Sequence, residues 1–378
     1  MSQVYIARCP DYTTQHVERA LRESLQTLAD AEPLILAGQQ VVLKPNLLQA
    51  RPPEDAITTH PAIVAAVARW VSQAGATPII ADSPGGLLNA RKLRRLYRVT
   101  GMEQAARESG ALLNYDVRGV SIPCPAGRAS KTYDGMRAMV CADAIISLPK
   151  LKTHGLLRFT GAVKNLFGTV PGVLKGTYHA RFPTVDRFSA MLIDILNHYR
   201  PTLTVMDAVT GMEGDGPSGG EPRPLGLLLV STDPVALDVV ATSIIGMVPL
   251  TVPTIAAACR RGLTTGQVED ITVLGESLEA ARITGFKHPR TGSSWARMIP
   301  SAVPSWIVNR LLASPEATAA CTACGTCVEN CPSGAVAIVE GRARTDLGRC
   351  TRCYCCHELC PEDAVALHLP PLARLLAR

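Results

Sequence analysis

Aromatic side chains are scarce in this chain: Phe, Trp and Tyr make up 4% of its 378 residues, while apolar residues reach 47%. A core with so few rings has to be aliphatic, which suits packed helices and sheet. Long apolar runs are missing too. The best candidate, around residues 224 to 259, is broken by Asp233 and Asp238, and crossing a bilayer takes about 18 uninterrupted apolar residues, so no membrane span is expected. The opening MSQVYIARCPDYTTQ has no basic start, apolar run or small-residue cleavage site. No secretory leader is read there, and a cytoplasmic, reducing setting is the expectation. No dinucleotide fingerprint is read at a strand-to-helix turn and no P-loop occurs, which leaves nucleotide binding without motif support. Net charge is +6 from 38 basic and 32 acidic residues. The basic ones are not interleaved with aromatics, so no nucleic-acid partner is expected.

Cysteine is plentiful. Of 13 cysteines, eight fall into two copies of C-x2-C-x2-C-x3-C-P: Cys321, Cys324, Cys327 and Cys331 before Pro332, then Cys350, Cys353, Cys356 and Cys360 before Pro361. Three thiolates at this spacing can wrap three corners of a cubane while their backbone amides point at its sulfides, and a fourth closes the cage. A disulfide framework rarely takes this form inside a long chain without a secretion signal. Zinc sites usually pair two C-x2-C knuckles instead of running three cysteines in a row. Cys355, between Cys353 and Cys356, is outside the pattern and reads as a spare thiol able to compete as a ligand in a damaged cluster. The runs resemble bacterial-type two-cluster ferredoxins, where the fourth cysteine of each run serves the other cluster. That resemblance implies one 4Fe-4S cluster on Cys321, Cys324, Cys327 and Cys360, and a second on Cys350, Cys353, Cys356 and Cys331.

The rest of the chain alternates strand and helix patterns, which argues for a largely parallel sheet. Val41 to Leu43 is a buried strand ending at Lys44, Pro45 and Asn46, the position of ligand-facing groups in open α/β sheets. Pro61 opens an amphipathic helix closed by Gly75, and Thr77 to Ala81 runs into Asp82-Ser83-Pro84-Gly85-Gly86. Residues 111 to 141 read as short strands and turns. Ala144 to Leu148 then delivers the densest polar constellation, with Lys150, Lys152, His154, Lys164, Asn165 and His179. Burying so many basic groups is costly unless an anion or metal compensates, which favours a cleft over a solvated loop. A helix from Val185 to Tyr199 leads to a strand from Thr202 to Met206 that ends at Asp207. The Gly/Pro-rich stretch after it, with Glu213 and Asp215, reads as a lid or ligand loop. Leu227 to Val230 and Ile271 to Leu274 read as strands flanking a helix capped by Asp233.

VVLKPNLL, IIADSPGG, ADAIISLPKLKTH with GAVKNLFG, and VMDAVTGMEGDGPSGG with STDPVALD resemble, in combination, the family called domain of unknown function 362. The resemblance covers about residues 40 to 245 and implies no settled reaction. The order His154, Lys164, His179 is similar to the histidine, lysine, histidine order around the nickel-pincer cofactor of the lactate racemase catalytic subunit. That likeness implies a lysine tether and a histidine ligand for nickel, but its second upstream histidine has no match here unless His60 serves.

The expectation is therefore an α/β domain over 1–283, its mostly parallel sheet flanked by helices. A linker would follow at 284–317, containing the amphipathic PSWIVNRLLAS. A small α+β ferredoxin-type domain would occupy 318–366, with a tail at 367–378. The expected function is an iron–sulfur oxidoreductase or electron-transfer protein with two 4Fe-4S clusters and a redox partner protein. Lys44, Asn46, Lys150, Lys152 and Asn165 would bind an anionic substrate or cofactor, and His154, Lys164 and His179 would act on it. Two alternatives remain open: a non-catalytic electron carrier or accessory protein, and a racemase-like metal-cofactor enzyme with structural clusters.

Overall fold

A computed structural model describes residues 1–28, 33–86, 88–290 and 312–370. Short apolar runs make the middle of a large sheet, where Thr77–Ile80, Gln40–Pro45 and Ala144–Leu148 lie side by side and parallel. Its order is Thr272–Gly275, Gln3–Arg8, Gly219–Ser231, Leu203–Asp215, Ala144–Leu148, Gln40–Pro45, Thr77–Ile80 and Leu112–Leu113. Lys150–His154 and Arg158–Phe159 branch off beside Leu203–Asp215, making ten strands. Along the main order only the two junctions made by Gly219–Ser231 are antiparallel. The fold is thus α/β with a mostly parallel sheet, as the alternating pattern predicts.

Successive side chains of a strand point to opposite faces, and the core divides accordingly. Val205, Leu228 and Val230 join Val41, Leu43 and Ile146 against the helices Thr14–Leu28, Pro61–Gln73 and Ala90–Val99. Met206, Leu227 and Leu229 join Val4 and Ile6 against the helices Pro234–Ile244 and Pro253–Cys259. Two of these three proline-started helices are capped by the preceding side chain: His60 Nδ1 accepts from the Ala62 amide, and Asp233 accepts from Val235 and Ala236. The connection leaving Gln40–Pro45 turns to one side to reach Thr77–Ile80, while Ala144–Leu148 returns on the other. The carboxyl ends of these strands therefore open a crevice at the switch of direction, where open α/β sheets hold their ligands.

The supposed lid after Asp207 is instead a long two-stranded ribbon. Leu203–Asp215 pairs with Gly219–Ser231 down to Asp215↔Gly219, with one irregularity between Ala208 and Thr210. Proline is tolerated on an unpaired edge. Pro222 and Pro224 sit there, since Gln3–Arg8 pairs only with residues 227–230 on that side. Gly214, Gly216 and Gly219 do have G-x-G-x-x-G spacing, but here it turns a hairpin instead of opening a helix, so it makes no dinucleotide site. Lys150 to His154, read as polar residues delivered by the preceding strand, is itself a strand paired to this ribbon.

The cysteine-rich segment has two small antiparallel pairs, Ser314–Ala317 with Val365–His368 and Val336–Val339 with Arg342–Thr345. Its first strand thus lies inside the stretch read as linker. PSWIVNRLLAS falls almost wholly outside the described residues, as does the tail from residue 371. Among the described residues no helix is long and apolar enough to cross a membrane.

Candidate functional site

The end of Gln40–Pro45 carries a buried ion pair. Lys44 Nζ lies 2.6 Å from Asp82 Oδ1, which follows Thr77–Ile80, and also donates to the Pro45 carbonyl at 3.1 Å. Burial pushes the lysine pKa down against the pull of Asp82. The other Asp82 oxygen accepts from the Leu47 amide. Asn165 donates to the Lys44 carbonyl and the Ser147 hydroxyl, tying the helix Gly161–Asn165 across two strands. That helix can approach because Gly161 and Gly168 have no side chain: a Cβ at Gly168 would lie 2.1 Å from Asp82 Oδ1. Asn46 reaches Asn165 only at 3.4 Å, and its own Oδ1 is buried without a hydrogen bond.

Lys150 belongs to a different cluster. Its ammonium meets Asp207 and the Tyr12 hydroxyl, each at 2.9 Å. Tyr12 also donates to Asp207 and stacks on the His60 ring at 3.6 Å. His60 is therefore placed with Lys150 and Asp207, occupied as a helix cap. Lys152, also fully buried, donates to two carbonyls, Ile57 at 2.6 Å and Pro217 at 3.2 Å. No carboxylate among the described residues bonds it, and desolvation drives its pKa well down.

His154, Lys164 and His179 come together around a carboxylate that the sequence reading missed, Glu358 of the cysteine-rich segment. The Leu156 and Leu157 amides donate to His154 Nδ1 at 3.0 and 3.4 Å, so the neutral ring carries its proton on Nε2. Nε2 faces Glu358 Oε1 at 3.0 Å, off the hydrogen-bond axis, and neither atom has a hydrogen bond among the described residues. Burial pushes the Glu358 carboxyl up, but the facing His154, Lys164 and His179 outweigh it and hold it low. His179 stacks on Phe188 at 4.4 Å, and burial lowers its pKa to about 4. Lys164 is partly exposed, lies 5.5 Å above the Phe167 ring, and has no ion pair among the described residues. Lys175, which donates to the Ser83 carbonyl, sits on the same ring at 5.2 Å, its pKa lowered by burial to about 7. Nothing in the local sequence singles out Glu358, because its neighbours are explained by the cysteine spacing.

The two cysteine runs repeat in backbone as well as in spacing. The helices Thr326–Glu329 and Cys355–Glu358 are equivalent. So are the left-handed residues Ala323 and Arg352 (φ 56° and 57°), Gly325 and Tyr354 (79° and 61°), and Gly334 and Asp363 (58° and 50°). In each half an amide donates to the fourth sulfur, Ala335 to Cys331 at 3.1 Å and Ala364 to Cys360 at 3.2 Å. Such turns aim backbone N–H groups at anionic sulfur. Cys321, Cys324, Cys327 and Cys360 line one recess with Ala323, Gly325 and Ala364. Cys350 and Cys353 are close enough to raise the Cys356 thiol further once burial has pushed it up. Among the described residues no group of three or more His, Cys, Asp or Glu is arranged to hold a single metal ion. The thiols ring a recess instead of converging on a point, and four cysteines around a small-residue cradle fit the donor set of an iron–sulfur cluster.

Residues of the crevice and the cysteine-rich segment are in direct contact. Gln49 donates to the Glu358 carbonyl at 2.6 Å, and His357 Nε2 lies 3.2 Å from the Asp215 carbonyl on the ribbon. Leu359 covers Gly85 so closely that a Cβ there would fall 2.8 Å from it.

Residues 41–243 match the family model described as Domain of unknown function (DUF362). A thylakoid-associated protein of Synechocystis sp. is 34% identical over 273 residues, 70% of this chain and 80% of that protein. Two solved structures are more distant. The lactate racemase apoprotein from Thermoanaerobacterium thermosaccharolyticum is 11% identical with a TM-score of 0.38, covering 62% of this chain and 55% of that one. A protein from Thermotoga maritima is 11% identical with a TM-score of 0.36, covering 60% and 57%. This chain spans less than two thirds of either structure, and likeness at that level carries no argument about activity. The family match covers more than half of the sequence, and the chain belongs to the DUF362 family.

Proposed function

We propose that this protein is an iron–sulfur oxidoreductase that exchanges single electrons with an anionic substrate or cofactor held beside His154, Lys164 and His179. Cys321, Cys324, Cys327 and Cys360 would hold one 4Fe-4S cluster, and Cys350, Cys353, Cys356 and Cys331 the other. When bound, such clusters supply one-electron transfer. Glu358 carries this reading: it lies between the ligand-type Cys356 and Cys360, yet its carboxylate reaches His154 at 3.0 Å. The electron store and the basic crevice thus share a residue. Lys164, without an ion pair among the described residues, is placed to orient an anionic group. His154 presents its Nε2–H as a hydrogen-bond donor to charge that develops beside it, and Glu358 would stabilise the ring if it took up a second proton. Lys44, Asn165 and Asp82 hold the crevice floor rigid.

Anaerobically purified protein tests the reading through its iron, sulfide and nickel content and its paramagnetic resonance spectrum before and after dithionite. About eight irons per chain and a coupled reduced signal support it. Four irons or fewer overturn the ligand assignment, and nickel near one per chain replaces it with a metal-cofactor enzyme. Reoxidation of the reduced protein by small carboxylate and phosphate-ester acceptors then separates enzyme from carrier. An enzyme loses this reaction in His154→Ala and Lys164→Ala with its cluster spectra intact, whereas a carrier does not.

A further inference from the structure

The helix Ala90–Val99 is charged against its own stability. Arg91, Arg94, Arg95 and Arg98 stand at helical spacing along one exposed stripe with Lys92 beside it, while Leu93, Leu96 and Tyr97 are buried in the main core. Like charges three and four residues apart on a helix repel. A cation in the first turn also opposes the helix dipole, and this first turn holds no acidic residue. Arg98 lies 3.6 Å from Glu103, and Arg94 lies over the Tyr115 ring at 5.5 Å. Arg91, Lys92 and Arg95 have no ion pair among the described residues. From residue 83 to residue 102 the sequence contains no Asp or Glu. The helix Thr14–Leu28, by contrast, mixes Glu18, Arg19, Arg22 and Glu23.

This helix starts where both cysteine runs touch the α/β domain. A Cβ on Gly85 would fall 2.8 Å from Leu359, and one on Gly86 3.1 Å from Asn330. Leu359 and Asn330 directly precede the fourth cysteines of the two runs, Cys360 and Cys331. Asn89, which caps the helix, is three residues past Gly86 and so at most about 11 Å from it. The first run is the one nearer solvent: Cys324 and Glu329 are exposed, whereas their counterparts Cys353 and Glu358 are not.

Resting on the two-cluster reading, we propose that the arginine stripe is the docking face for a one-electron carrier protein with an acidic surface. Guanidinium groups pair with carboxylates through two parallel hydrogen bonds, which suits such a partner. The large apolar side chains of the helix are buried in the core, so they are not free to enter a lipid layer or to stack on bases. Seated there, the carrier gives up one electron and the cluster pair takes it up, with no bond made or broken.

The test uses full-length protein, with iron counted in every sample, and a purified plant-type 2Fe-2S ferredoxin of net negative charge. Labelled ferredoxin should bind ~tenfold or more tightly at ~0.02 M salt than at ~0.5 M. In Arg91→Glu/Arg95→Glu, binding at low salt should weaken ~tenfold or more, and cluster reduction by reduced ferredoxin should slow with it. Reduction by reduced methyl viologen, a small cation, should not slow. The melting temperature should hold or rise, because a glutamate in the first turn complements the dipole. If it falls, the binding of Arg91→Gln/Arg95→Gln decides. Arg187→Glu/Arg282→Glu makes the same change in net charge at exposed sites elsewhere, and its binding should stay within ~threefold of wild type. Equal losses in the two glutamate pairs, or unchanged ferredoxin binding in the helix variant, overturn the proposal. So does tighter binding of phosphatidylglycerol vesicles or duplex DNA that the helix variant abolishes. Wild-type protein without iron overturns the two-cluster reading itself, whereas ferredoxin binding that ignores the helix in iron-loaded protein overturns the docking face alone.

Discussion

Lys44 is fully buried against Asp82, so its partner governs whether the crevice floor survives. Asp82→Ala leaves that ammonium buried and unpaired, and the loss should be about 3–5 kcal/mol in urea unfolding. Gly168→Ala should act on the same pair, because the added methyl carbon falls on both partners. At His179 the change is one of protonation. Burial holds its pKa near about 4 against an ordinary 6.5, with Glu358 opposing and Lys164, His154 and Lys175 reinforcing. The unfolded chain therefore takes up a proton that the folded one refuses, so this contribution is complete above pH 6.5 and is lost as pH falls toward 4. It amounts to ~3 kcal/mol at most. The difference in unfolding free energy between wild type and His179→Gln, followed across that range, should show the slope. Sequence made most crevice residues legible, because lysines and histidines directly after buried apolar strands have few places to go. Lys150 was legible as buried but not as diverted, since Asp207 and Tyr12 lie far from it in sequence. Glu358 was hidden because the cysteine spacing around it already accounts for the stretch.

At the scale of elements, the alternating strands and helices were plain in their periodicity, and the ribbon was not. Glycines and prolines between residues 208 and 224 signal a loop locally, and only pairing across the hairpin makes them strand. Register is a tertiary property there. The ribbon tip is packed against strand Lys150–His154, where Gly216 donates to Thr153 Oγ1 at 3.2 Å and Gly155 donates to the Gly216 carbonyl at 2.9 Å. A Cβ at Gly216 would lie 2.4 Å from the Thr153 carbonyl oxygen. Gly216→Val should therefore cost about 1–3 kcal/mol, read as a lowered melting temperature. It should also speed proteolysis between residues 312 and 370, because Ser218 and Asp215 on this tip contact His357.

For the molecule as a whole, metal binding and folding are coupled wherever ligands have few other contacts. Among the described residues the cysteine-rich segment has two short strand pairs and two one-turn helices of its own. If the proposed clusters are bound there, hydrogen exchange over residues 314–368 should rise ~tenfold or more after chelation of iron, and the rise should reach Gln49 and Asp215. The helix Pro61–Gln73 should remain protected, because its buried face belongs to the main core. The two cysteine runs announced their own repeat, yet which surface they would dock on had no local signal, since it depends on Gly85 leaving room for Leu359. That seating has a kinetic consequence. Swinging the segment outward would bare His154 and strip Glu358 of its facing cations, so it is unsuited to ferrying charge as a mobile arm. On the proposed reading the chain would act as fixed wiring, its internal transfer step insensitive to solvent viscosity, leaving only collision with an external donor to slow in glycerol.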